Sequence, residues 1–107
     1  MSGTVVKHDL KKFNVRFSLP EKITVQQTLQ FWAMYSSWVR NREMLYVEMW
    51  AVIVRLGLIV DWECDYFSPE TPLDEVFDPQ VAMLVMDVCN LVFMHMHELR
   101  LRVTEKN

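Results

Sequence analysis

Glycine and cysteine are both scarce in this chain of 107 residues. The two glycines, Gly3 and Gly57, cannot build the loops that hold phosphates in GxGxxG or GxxxxGKS/T motifs, because those loops need two or three glycines within a few positions of each other. The two cysteines, Cys64 and Cys89, are too few for a disulfide scaffold and do not form a CxxC pair. We therefore predict that the protein is not an enzyme and holds no cofactor.

Long hydrophobic runs and an excess of basic charge are also lacking. Each candidate stretch of about 18 apolar residues is interrupted by a charge, at Glu48 and Arg55 in one and at Asp87 in the other. The net charge of -3 gives no general attraction for nucleic acid. Residues 1–13 do not contain the apolar core of a signal peptide. We therefore expect a cytoplasmic protein that binds neither membranes nor nucleic acids.

The residues that are abundant are hydrophobic, at 51% of the chain, and they suffice for one core in a single domain spanning residues 1–107. Residues 12–18 alternate, with Phe13, Val15 and Phe17 on one side, and this period of two predicts a half-buried strand. A strand needs a pairing partner, which is residues 3–7, a second copy of the chain, or another protein.

Three helices are predicted after this strand, over residues 24–37, 41–60 and 78–100. Thr24 and Gln27 have the spacing of a capping box at the start of the first helix. Asn41 is a candidate cap for the second helix. Asp78 followed by Pro79 is typical of a helix start, with the aspartate as N-cap and the proline in the first helical position.

The segment between the second and third helices, residues 61–77, is acidic. Pro69 and Pro72 interrupt it, so we expect a connection without a long element of its own. Between Arg55 and Arg100 the chain contains no lysine or arginine, whereas most basic residues precede position 56. The expected fold is mainly α, a small three-helix domain with a short N-terminal β-strand.

The third predicted helix is apolar over more than half of its circumference. Either it is a central core helix, or part of it contacts another chain, and both interpretations stay open. Methionine is common in this segment, and it is both an ordinary core residue and a frequent residue of adaptable binding surfaces. The residues that we predict to bind a protein partner are Phe13, Val15 and Phe17, by strand addition, and Met83, Met86, Phe93, Met94 and Met96 on the helix.

Two other classes of function compete with protein binding. Arg40 and Arg42 lie near several aromatic residues and are the best candidates for a small DNA-binding or regulatory adaptor protein. A small enzyme or metal protein would be centred on Cys64, Cys89, His95 and His97. However, two histidines that are two positions apart on a helix point in different directions, so we predict no metal site.

The segments PEKITVQQ, LIVDWECD and PLDEVFDPQV follow one another along the chain, together with a tryptophan-bearing helix. This order, over roughly residues 13–100, resembles that of the small tail assembly chaperones of long-tailed bacteriophages. The resemblance implies a non-enzymatic protein of the host cell cytoplasm that self-associates as a homo-oligomer. It also implies that the protein binds the tape measure protein and delivers it to tail-tube subunits. It supplies no catalytic residues.

Overall fold

The computed structural model describes residues 5–41 and 46–105. Its elements are β1 (Val5–Leu10), β2 (Val15–Pro20), α1 (Val25–Asn41), α2 (Tyr46–Arg55), β3 (Val60–Cys64) and α3 (Pro79–Glu105), with single 3-10 turns at Lys11–Phe13 and Leu73–Glu75. Within these ranges the three helices are accompanied by a three-stranded antiparallel sheet in the order β1-β2-β3. The predicted fold, a mainly α three-helix domain with one short strand, is therefore wrong.

The strand predicted over residues 12–18 is observed as β2, which begins later. Residues 11–13 form a 3-10 turn, and Asn14 follows with a left-handed φ of 54°, so that the chain reverses between β1 and β2. The pairing partner is the N-terminal segment, with Leu10 opposite Val15 and Val5 opposite Pro20. On its other side β2 pairs with β3. Because both edges of β2 carry hydrogen bonds, another protein cannot add a strand to it.

The third strand arises because the second helix ends earlier than predicted. Gly57 has φ of 68°; its N–H donates to the Val54 carbonyl at 3.1 Å, and the N–H of Leu58 donates to the Ile53 carbonyl at 3.1 Å. This pair of bonds is the Schellman arrangement, in which glycine ends a helix by adopting the left-handed conformation. The chain then turns back to the sheet, so that residues 60–64 are a strand rather than a helix end and a loop.

The predicted helix starts are observed in part. The N–H of Thr24 donates to Gln27 Oε1 at 2.8 Å, and the N–H of Gln27 donates to Thr24 Oγ1 at 3.0 Å, as in a capping box. Asp78 Oδ1 accepts from the N–H of Gln80 at 2.9 Å, so Asp78 caps α3. Asn41 is the last residue of α1 instead of a cap for the second helix.

The hydrophobic core lies between the sheet and the helices, and α3 is its central helix. The buried apolar residues of α3 are Val81, Leu84, Val85, Val88, Cys89, Val92 and Met96. They pack with Val15, Phe17 and Leu19 of β2 in one cluster. In length and composition residues 79–102 of α3 would also suffice to cross a membrane, and 44% of an 18-residue apolar window within them is buried inside the domain. One side of the large apolar surface of α3 is therefore buried in the core.

Candidate protein-binding surfaces

Four of the eight residues predicted to bind a partner lie inside the domain. Phe13, Val15 and Phe17 are between 1% and 6% exposed, and Met96 is 2% exposed. Phe17 stacks on the His8 ring at 5.4 Å and on the Trp62 ring at 5.8 Å. The folded chain uses these side chains for its own core, so the folded monomer does not present them to a partner.

The other four predicted residues lie on α3 at or near the surface. Met83 is 50% exposed and Met94 63% exposed, whereas Met86 and Phe93 are half-buried. Phe93 packs between the helices: its ring lies 5.0 Å from that of Tyr35 in α1 and 4.6 Å from that of His97. Phe93 therefore helps to hold α1 against α3.

A line of exposed residues runs along the side of α3 that faces away from the core. Leu101 is 59% exposed and follows Met83 by 18 positions, which is about five helical turns, so that both side chains lie on the same side of the helix. Met94 and the exposed Asn90 lie close to the line between them. We call these four residues the outer α3 stripe. Leu101 was not predicted, although its position seven residues after Met94 was a usable signal.

A second apolar surface lies near the beginning of α3. It is a groove of about 260 Å³ lined by Tyr46 and Val47 of α2, Leu73 and Val76 of the connection, and Asp78, Val81, Ala82, Val85 and Met86. Four exposed carboxylates belong to this region. Asp78 lines the groove itself, and Glu48, Asp74 and Glu75 are each next in sequence to a lining residue. We call this surface the acid-rimmed groove. Sequence reasoning missed it, because its walls come from three separate segments.

The histidines of α3 have structural partners. His95 is 6% exposed and its Nε2 donates to the Pro20 carbonyl at 2.7 Å, which ties α3 to the end of β2. The His97 ring lies against the rings of Trp32 at 5.1 Å and Phe93 at 4.6 Å. Across residues 5–41 and 46–105, no group of three His, Cys, Asp or Glu side chains is placed to hold a metal ion.

The two thiols differ in their surroundings. Cys89 is 0% exposed in the core, and burial raises the pKa of its thiol to about 12. A thiol with such a pKa is almost entirely protonated near neutral pH and is a poor nucleophile. Cys64, on β3, is half-buried. Of the two arginines that suggested DNA binding, Arg40 is exposed near the end of α1, and Arg42 lies outside the described residues.

No family model, curated protein or solved structure matches this chain significantly. The function must therefore be argued from the chemistry of its surfaces.

Proposed function

We propose that this protein is a non-enzymatic assembly chaperone or adaptor that self-associates and binds an extended helical client. This proposal follows the resemblance to the tail assembly chaperones of long-tailed bacteriophages, whose client is the tape measure protein. The observation that carries the proposal is the outer α3 stripe, where Met83, Met94 and Leu101 are between 50% and 63% exposed.

The stripe has the dimensions and chemistry of a helix–helix contact. It extends over 18 positions, or about 27 Å at 1.5 Å per residue. Methionine adapts its shape to the surface it meets, which suits a contact that forms and dissolves during assembly. Asn90 lies seven positions after Met83, and a polar residue in such a seam restricts how two helices align.

The expected strength follows from the area that is left exposed. Completely burying one such apolar side chain contributes about 1.5–3 kcal/mol. Two copies that meet through their stripes would bury the exposed parts of six side chains, which contributes roughly 5–10 kcal/mol before the cost of association. A micromolar dimer needs about 8 kcal/mol after the cost of association, and that cost is itself at least about 4 kcal/mol, so this contact alone predicts a dimer that is weaker than micromolar. We therefore expect self-association that depends visibly on protein concentration.

Light scattering after size exclusion, at several protein concentrations and at low and high salt, tests this proposal. The wild-type chain should form multimers that persist in high salt, because apolar contacts are not screened. The double variant Met94→Asp/Leu101→Asp should be monomeric and keep its helical circular dichroism.

The matched control is Val25→Asp/Leu29→Asp, which changes two exposed apolar residues of α1, at 75% and 65% exposure. This control should associate as the wild type does. A wild type that is monomeric at every concentration would refute self-association. Equal loss of association in both double variants would show that the outer α3 stripe is not the interface.

A further inference from the structure

We infer that the acid-rimmed groove binds a cationic amphipathic helix, which places aliphatic side chains in the groove and lysine or arginine side chains at its rim. This inference rests on the proposed function, since it specifies where a client binds and what chemistry the client has.

The floor of the groove is shaped to receive a helix. Val81 and Val85 are four positions apart on α3, as are Ala82 and Met86, so that the two pairs form parallel ridges along the helix surface. The ridges of one helix pack into the grooves between such ridges on another. The small side chain of Ala82, which is exposed, lets an approaching helix come close to α3.

The size of the groove favours side chains over a small molecule. Its volume of about 260 Å³ is below the 300–1,000 Å³ that is typical of small-molecule pockets. Among the described residues that line it, Asp78 alone is charged, and its carboxylate already caps α3. An apolar groove of this kind suits a few aliphatic anchors of a helical segment.

Charge complementarity identifies the partner. Asp78 lines the groove, and the exposed Glu48, Asp74 and Glu75 are each next in sequence to a lining residue. Between positions 43 and 99 the only lysine or arginine in the sequence is Arg55. A helix with lysine or arginine beside its apolar face would pair with this rim, and the rim would also speed its approach. A second copy that bound symmetrically through the same groove would bring two acidic rims together. Repulsion between like charges therefore disfavours that alternative.

The test uses the whole chain and two synthetic amphipathic peptides of about 18 residues, or five helical turns. Both carry leucine at the same helical positions, but one has lysine and the other glutamate at the flanking positions. Fluorescence anisotropy of the labelled peptides measures the affinity. At low salt the lysine peptide should bind at least about tenfold more tightly than the glutamate peptide, and its affinity should fall as salt rises.

Variants with matched controls place the binding in the groove. Ala82→Trp fills the groove and should weaken binding of the lysine peptide at least tenfold, whereas Ala33→Trp, at an exposed alanine of α1, should leave it unchanged. Val47→Lys is a second groove variant. Val47 is 67% exposed, so this change does not disturb the core, and the control is Leu29→Lys at a residue that is 65% exposed. Asp74→Asn/Glu75→Gln should reduce the preference for lysine, unlike Glu63→Gln/Glu70→Gln.

The outcomes separate this inference from the proposed function. Equal affinity for both peptides, no affinity for either, or equal effects of the groove variants and their controls would overturn the inference, even in a chain that self-associates. A second copy as the occupant would be indicated if Ala82→Trp abolished self-association without affecting the peptide, and that result also overturns it. A monomeric wild type that binds the lysine peptide through the groove would overturn self-association alone.

Discussion

Met94 and Met96 are two positions apart on α3, and the structure assigns them opposite roles. Met96 is 2% exposed and belongs to the core, whereas Met94 is 63% exposed on the outer α3 stripe. Replacing each by alanine is therefore a matched pair of perturbations. The residue type, the helix and the change in helix propensity are the same, and only the surroundings differ.

The magnitudes follow from burial. Met96→Ala removes a buried side chain and leaves a cavity, so the free energy of unfolding should fall by about 2–5 kcal/mol. Met94→Ala removes an exposed side chain, and its effect should stay within about 0.5 kcal/mol. In thermal unfolding, each kcal/mol lowers the Tm of a domain of this size by about 4–8 °C. The two variants should therefore differ by at least about 6 °C.

The assay is urea unfolding monitored by circular dichroism. The protein concentration is one at which the wild type is monomeric, because association would add to the apparent stability. Light scattering at higher concentration supplies the second readout, in which Met94→Ala should weaken self-association. If Met94→Ala destabilises the monomer as much as Met96→Ala does, the assignment of core and surface on α3 is refuted. If Met96→Ala leaves stability unchanged, Met96 is not a core residue.

Three further predictions concern the fold and its ionisable groups. Gly57→Ala should lower the free energy of unfolding by about 1–2 kcal/mol, because an added Cβ meets no atom within 4 Å and the penalty is that of the left-handed backbone alone. Gly57→Asn should lower the free energy of unfolding by less in the same urea assay. Equal losses in the two variants would contradict the backbone explanation. Cys64 should react with a thiol reagent at pH 8 well before Cys89, whose modification should require unfolding; simultaneous reaction of both thiols would contradict the burial of Cys89. Burial, and secondarily the charge of His95, lowers the pKa of His8 below its usual 6.5, so the unfolded chain binds this proton more readily. Stability should therefore fall as the pH drops below about 6.5, and His8→Gln should flatten the dependence of Tm on pH; an unchanged slope would show that His8 is not responsible.

Local signals in the sequence were enough to predict the starts of α1 and α3, but not that of α2. Thr24 with Gln27, and Asp78 with Pro79, act on backbone groups only a few positions away, so their effect needs no knowledge of the rest of the fold. The alternation of Val15 and Phe17 likewise indicated a strand with one buried side, and β2 buries these residues at 1% exposure. Each of these features depends on spacing along one segment.

The sheet was not predicted, although local signs of it were present. β3 pairs with β2 across more than 40 positions of sequence, so the pairing itself is not a local property. Two local signs of β3 were not used: Gly57, which ends α2, and the alternation of apolar and acidic residues over positions 60–64. The acid-rimmed groove was unpredictable for a related reason, since it exists only where three segments meet.

Composition and neighbouring residues are sufficient to predict the lack of phosphate-binding glycine loops, the separation of acidic from basic charge along the chain, and the position of α3. Which side of α3 is buried depends instead on how the distant elements pack against it. Residues 79–102 are apolar on most sides of the helix, and the periodicity of the sequence does not indicate which of those sides is buried. The sheet and α2 cover the side with Val88, Val92 and Met96, and this packing leaves Met83, Met94 and Leu101 facing outwards.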